Sequence, residues 1–438
     1  MRQLLLALLA AAGVILTPTV RAQDDDEPTL NPDQAAAGQA ASSDSPYENM
    51  EVLARAMQLI REDYVNDAKI SYRDLTYSAL RGMLSELDPH SSFMEPRDFK
   101  NMEEDTKSEF GGLGVTVSTK GNLLTILGVA EGTPGFEAGL QPGDQIRKIN
   151  GLSTDRMTMA DAIDMLRGEP GEKVTLTVIR SPGNEIKEFT MTRAIIKVPS
   201  VVDAAVLPTS MTAGRRIGYL RITQFNEPTA GELGNALAKL EKQQIEALVI
   251  DLRFNPGGLL TSAVDVCSLF LQPRTMVVYT QGRTPSHEYY TREMPGGVRK
   301  YPVAILINGS SASGAEIVAG ALKDLHRAIL VGETTFGKGS VQSVVSLPDG
   351  SAMRFTTAHY FTPSRTPIHE HGVAPDIRCA LTFQEEARLY QSRRGKDVPG
   401  ASGQKSIGAQ DLQLDRAVDA LAGMLLYTER TAAGPNKG

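Results

Sequence analysis

The chain has 438 residues, 41% hydrophobic and 22% charged, an ordinary globular usage that excludes a collagen, a disordered polymer and a polytopic membrane protein. At roughly 150 residues per domain, this length suits two or three domains. Lys plus Arg total 45 against 52 for Asp plus Glu, a net charge of −7 that leaves no footprint for nucleic acid, and two cysteines exclude a disulfide scaffold.

Arg2 precedes an apolar run from Leu4 to Leu16, and Val20 and Ala22 supply small residues for cleavage after Ala22. A bilayer span needs about 20 apolar residues, so the run is short for one. Residues 1–22 are therefore expected to be a signal peptide, and the mature chain exported, periplasmic in a bacterium. An uncleaved signal, holding the chain at the membrane, is the alternative. Residues 23–46 carry DDDE followed by Asn, Pro, Gln, Ala, Gly and Ser without periodicity, and read as a disordered linker. Cys267 sits in an apolar pattern as a core residue, and its pairing with Cys379 stays open.

Val52, Leu53, Ala56, Met57, Ile60 and Tyr64 lie on one helical face, and Leu75, Ala79, Leu80, Met83, Leu84 and Leu87 on a second. These amphipathic helices in residues 47–107 need cover, from the rest of the chain or from a second copy. From Phe110 the period shortens to strands. FGGLGVTV, a Gly-rich stretch through PGFEAGLQPGDQI, a helical pattern across Met159 to Leu166, then VTLTVIR and EFTMTR describe a compact module over residues 108–195. Over residues 196–380 apolar strands (IGYLRI, ALVIDLR, MVVYT, VAILIN, AILVG) alternate with helical patterns, predicting an α/β layer with a largely parallel sheet. Residues 381–438 form a polar tail that ends in a helical pattern at Leu414, Val418, Leu421 and Leu425.

Chemistry concentrates at four places. In GSSASGAE, Ser313 opens a helix after a strand. It is there either as an N-cap or as a nucleophile whose oxyanion would face free helix N–H groups. In GETTFGKGSVQ, Lys338 lies between Gly337 and Gly339. A lysine base must be neutral near pH 7, which requires desolvation; the alternative is an exposed turn lysine. If residues 338–342 are extended, Gln342 shares a face with Lys338 and is placed to hold its amine. In DLRFNPGG, Gly257 and Gly258 follow a buried strand and either donate to an oxyanion or merely make the turn. Gly112, Leu113 and Gly114 suit a backbone nest for a peptide carboxylate, or a tight turn. His369 and His371 in one loop, without a third ligand, read as surface polar residues rather than a metal site. A Ser-His-Asp esterase lacks its G-x-S-x-G elbow here.

The ordered set resembles the C-terminal processing peptidases, also called tail-specific proteases. It runs LDPHSSF, FGGLGV, PGFEAGLQPGDQI, DLRFNPGG, SSASGAE, GETTFGKGSVQ, LPDGSAMRFTTAHYFTPS and GVAPD, and covers residues 47–380. The resemblance implies a mixed α/β fold: a PDZ domain inserted between an N-terminal helical region and a serine protease core of the ClpP/crotonase-like type. It implies Ser313 as nucleophile, Lys338 as general base and Gln342 as its orienting partner. Gly257 or Gly258 with Gly314 would form the oxyanion hole, and Gly112 to Gly114 would bind the substrate C-terminus. No metal or organic cofactor is implied. Partners would be protein or peptide substrates with free C-termini and an activating adaptor, with self-association through the N-terminal helices. Two departures stand out: Gly314-Ala315 where Ala-Ser is usual, and HEH (His369 to His371) where a Gly-rich turn is expected. The competing reading is a catalytically silent PDZ scaffold on a protease fold.

Overall fold

The computed structural model describes residues 45–66, 70–120, 123–283, 285–394 and 411–432. The signal peptide and nearly all of the linker lie outside the described residues. The chain divides into two units, Met1–Thr76 and Tyr77–Gly438. In the first, Pro46–Asp63 is a helix with Pro at its first turn, a position where the missing N–H costs nothing. None of its residues is buried, and Met50, Val52, Leu53, Leu59 and Ile60 are exposed. Arg61 stacks over the Tyr72 ring at 4.5 Å.

In the second unit the central sheet has six strands. In spatial order they are Val201–Val206, Ile217–Ile222, Ala247–Asp251, Val303–Ile307, Ile329–Gly332 and Ile377–Arg378. The first pair is antiparallel and the rest are parallel. Alternate side chains of the same strands serve opposite faces, which is why these strands read as unbroken apolar runs. Leu220, Leu248, Ile250, Ile305 and Leu330 meet the Thr229–Glu241, Leu260–Ser268 and Gly314–Asp324 helices. Tyr219, Val249, Leu306 and Val331 meet Leu414, Ala417, Val418 and Leu421 of the Leu412–Ala432 helix.

MVVYT departs from the expected alternation. Met276–Gly282 joins a separate antiparallel sheet with His287–Tyr290, Ala352–Phe361, Ser340–Ser346 and Ser92–Met94. A short connection of a few residues to His287 permits a hairpin, whereas a parallel partner needs a long crossover. Tyr77 and Leu84 pack with Phe93 beneath this sheet, and Tyr77 donates its hydroxyl to Asp349 at 2.8 Å.

The 108–195 stretch is an antiparallel sheet in the order Val115–Lys120, Leu123–Val129, Gln145–Ile149, Lys173–Arg180, Glu185–Thr192. Its core is Ile126, Ile146, Ile149, Val174, Leu176 and Val178, closed by Leu166 of the Met159–Leu166 helix. Thr158 and Asp161 form a capping box that starts this helix. Glu109–Gly112 pairs antiparallel with Ala194–Lys197, so both ends of the stretch leave side by side. That allows a whole module to sit between two elements of another layer.

Candidate active site

Ser313 stands where the Val303–Ile307 strand hands over to the Gly314–Asp324 helix. Its backbone has φ 51° and ψ −113°, a conformation that a non-glycine residue holds only when its surroundings impose it. Those surroundings are a mesh of buried polar side chains. Asn308 Oδ1 accepts the N–H groups of Phe254 (3.0 Å) and Ser310 (3.2 Å), while Ser311 Oγ donates to Leu252 O at 2.8 Å. Asn255 Nδ2 donates to Ile222 O at 2.8 Å, and Ala312 N–H donates to Asn255 O at 2.9 Å. Ser313 is the N-cap of this helix, closed by a capping box with Glu316, but its backbone departs from the extended conformation a cap usually takes.

Glu316 locks the site from below. It is fully buried and its carboxylate accepts four hydrogen bonds. They come from Ser313 N–H (2.8 Å), Lys338 N–H (2.8 Å), Gly337 N–H (2.6 Å) and Thr335 Oγ1 (2.5 Å). Burial pushes its pKa up, against those hydrogen bonds.

Lys338 lines the same cleft as Ser313, a cavity of about 570 Å³ that Gly257, Gly258, Gln342, Arg354 and Tyr360 also border. Half-burial of its ammonium holds its pKa below the ordinary lysine value, and the Arg354 charge pushes the same way, while Glu316 opposes both. Lys338 is therefore no exposed turn lysine. Among the described residues no hydrogen bond joins Lys338 Nζ to Ser313 Oγ; such bonds commonly tighten only when substrate fills a site. The expected extended run does not hold. The strand begins at Ser340, and a bulge falls between Val341 and Gln342, so the alternation from residue 338 is broken. Gln342 Nε2 donates to Thr356 Oγ1 (2.7 Å) and Ser340 Oγ (3.3 Å); among the described residues no hydrogen bond joins Gln342 to the Lys338 amine, the contact expected of it, and its Oε1 is enclosed without a partner. That oxygen remains an open acceptor in the wall of the cleft.

Gly257 and Gly258 have φ of 99° and 142°, and neither position admits a side chain. A Cβ on Gly257 would lie 2.6 Å from Ser313 Cβ, and one on Gly258 would lie 2.1 Å from Phe225 O. They differ as donors. Gly257 N–H already donates to Asn255 Oδ1 at 2.8 Å, so it is removed from the candidate oxyanion set. Among the described residues Gly258 N–H and Gly314 N–H have no acceptor. A Cβ on Gly314 would lie 3.5 Å from Gly258 N, so the two amides lie close together beside Ser313.

The HEH loop closes over the lysine segment. Glu370 N–H donates to Gly337 O at 2.9 Å, and a Cβ on Gly339 would lie 2.2 Å from His369 N. The His369 ring lies 4.3 Å from that of His359. Asn255, Asn308, Ser311 and Glu316 were not singled out from the sequence. Asn255, Ser311 and Glu316 lie two or three positions from a candidate residue and Asn308 five from Ser313, and nothing in the string separates them from ordinary turn formers.

In the inserted module, Leu113 is buried and its O accepts Gly135 N–H at 2.9 Å. Gly114 has φ 72° and abuts the Thr133 side chain. This loop leads into Val115–Lys120, an edge strand paired among the described residues only with Leu123–Val129, which leaves its other edge without a strand partner there.

Residues 216–379 match peptidase family S41, residues 125–180 match a PDZ domain, and residues 8–97 match the activating protease CtpB N-terminal domain. A carboxy-terminal-processing protease of Bartonella bacilliformis is 37% identical over 358 residues, 80% of this chain and 79% of that one. The chain belongs to the carboxyl-terminal-processing protease family. A carboxyl-terminal-processing protease of Synechocystis is 39% identical over 73% of this chain and 74% of its own length. Carboxy-terminal processing protease CtpA of Bacillus subtilis is 34% identical over 78% and 71%. The chain is accordingly a serine peptidase of family S41 with a PDZ domain. The PDZ match begins after Gly114, so it does not include the candidate carboxylate loop.

Proposed function

We propose that this S41 peptidase is exported, to the periplasm in a bacterium. It cleaves proteins recognised by their C-termini through acyl-enzyme chemistry on a Ser313–Lys338 dyad. The observation that carries the reading is Glu316: one buried carboxylate holds the backbone of both residues at the wall of one cleft. Neutral Lys338 takes the Ser313 Oγ proton as Oγ attacks the scissile carbonyl, and the proton passes to the departing amine. Gly258 N–H and Gly314 N–H face the negative oxygen of the tetrahedral intermediate. Water, deprotonated by the same lysine, then releases the acyl group. Gln342 Oε1 is the acceptor that steadies the protonated lysine between the two half-reactions. The open edge of Val115–Lys120 takes the substrate tail as an added strand, with its carboxylate at Gly112 to Gly114. The match to the CtpB N-terminal domain and the exposed apolar face of Pro46–Asp63 support self-association and response to an activating partner.

The test is cleavage of an unfolded protein by the chain lacking residues 1–22, wild type beside Lys338→Ala, with products read by mass spectrometry. Cleavage lost in a folded Lys338→Ala variant supports the dyad; equal cleavage by both removes Lys338 as the base. Amidating the substrate C-terminus is expected to lower kcat/KM about tenfold or more, and an unchanged value would remove the tail from recognition.

A further inference from the structure

Among the described residues, several enclosed guanidinium groups are matched to carboxylates, and that of Arg327 is held by the carbonyls of Phe270, Arg299 and Tyr301. Arg253 pairs with Asp251 and Asp411, Arg180 with Asp144 (2.7 Å), Arg221 with Asp203 (3.1 Å) and Arg299 with Glu241 (3.2 Å). Arg354 breaks the pattern. Among the described residues its half-buried side chain has neither an ion pair nor a hydrogen bond, and its Nε is shut off from solvent. An unpaired cation with a desolvated donor is costly unless something arrives to pair with it.

Its place identifies what arrives. Arg354 borders the cleft that holds Ser313 and Lys338, and it also borders an adjoining groove lined by Asn101, Met102, Asp105 and Thr106. Those four residues belong to the Pro96–Lys107 helix, which runs directly into Glu109–Gly112 and the candidate carboxylate loop. If the substrate C-terminus sits at Gly112 to Gly114, the stretch between it and the scissile bond crosses Arg354. We propose that Arg354 is a specificity residue whose guanidinium receives the side-chain carboxylate of an aspartate or glutamate on the C-terminal side of the scissile bond. This rests on the tail-binding reading above. The geometry suits a side chain rather than the terminal carboxylate, which that reading places in the module. It suits a carboxylate because a guanidinium offers two parallel donors to one. Asp98 and Asp105 on the facing helix confine the preference to one position instead of favouring an acidic tail throughout.

The experiment moves a single Glu through the first four positions after the scissile bond of one peptide, each compared with Gln at the same position. Wild type, Arg354→Gln, Arg354→Lys and Arg354→Glu are assayed for kcat/KM. Wild type is expected to favour Glu about tenfold at one position or two adjacent ones. Arg354→Gln abolishes that ratio, Arg354→Lys keeps part of it, and Arg354→Glu reverses it in favour of a Lys peptide. Ratios near one throughout, a ratio surviving in Arg354→Gln, or an equal loss on every peptide would each overturn the proposal. Dissociation constants for the same peptides in a Ser313→Ala background give the ratio without turnover. Amidating the C-terminus of the Gln peptide separately tests the tail-binding reading, so the two readings fail distinguishably.

Discussion

Glu316 Oε2 accepts the backbone N–H of Lys338 at 2.8 Å, although 22 residues separate the two. The same oxygen accepts Ser313 N–H at 2.8 Å. Ser313 and Lys338, the proposed nucleophile and base, are thus held to a common atom through backbone, which leaves both side chains free of that bond. Glu316→Gln replaces one acceptor oxygen by an NH₂ facing N–H donors. It is expected to cost about 2–4 kcal/mol of stability and at least about a hundredfold in kcat/KM. Urea unfolding and labelling of Ser313 by a fluorophosphonate check it; labelling at the wild-type rate would detach Glu316 from the site.

Lys338 supplies a pH dependence. Its pKa in the fold lies below the ordinary 10.5, so activity rises as pH climbs through that lowered value, where the amine becomes neutral. The sign for stability is the reverse of a salt-bridged lysine: the unfavourable charge is present below the folded pKa and is relieved as pH rises past 10.5. Lys338→Met should therefore lose about 10³-fold or more in kcat/KM. Its melting temperature at pH 7 should be no lower than wild type, read by calorimetry. A rate flat from about pH 5 to 9 in wild type would argue against a lysine base.

Gly257→Ala and Gly258→Ala test the space around this turn. Both put a Cβ within 2.6 Å of other atoms, the first against Ser313 and the second against Phe225 O. Gly257→Ala is expected to displace Ser313 and cut kcat about a hundredfold. Gly258→Ala, whose Cβ meets Phe225 backbone at 2.1 Å against 2.6 Å to Ala312 O for Gly257→Ala, should lower stability the more, by about 2–3 kcal/mol. Paired activity assays and urea melts distinguish them; two fully active variants would remove this turn from the site.

The fully buried Arg253 bonds Asp251 in the strand before that turn and Asp411 in front of the last helix, with its NH2 2.7 Å from each carboxylate. Burial opposes ionisation of Asp251, yet Arg253 and Arg393 hold its carboxyl well below the usual 3.8. Its contribution is present above that value and is lost as pH falls through the lowered one. Asp411→Ala leaves one side of a buried cation bare. It should destabilise the fold by about 3–5 kcal/mol and speed proteolysis around residues 383–394 and 412–432. Protease-resistant helices in that variant would show that the pair does not anchor the tail.

Much of this site was legible as pieces. Ser313 at a strand-to-helix junction, Lys338 between glycines, and consecutive glycines after a buried strand follow from local rules: where helices leave N–H groups free, where backbone turns tightly, where apolar runs end. The period-two and period-3.6 patterns likewise marked the core strands, the Met159–Leu166 helix and the final helix. Those signals are local because side-chain direction repeats along one element.

What tertiary structure decided was partnership. Whether Met276–Gly282 joins the parallel or the antiparallel sheet depends on which edge is open, and its string is apolar either way. Whether Gly257 or Gly258 has a free N–H depends on where Asn255 Oδ1 points. A fully buried Glu316 looks in sequence like any acidic residue in a first helical turn. Hydrogen bonds and charge–charge terms depend on distances that folding alone sets, across separations such as the 22 residues from Glu316 to Lys338. Sequence therefore marked the elements and the reactive groups, and the fold determined which of them meet.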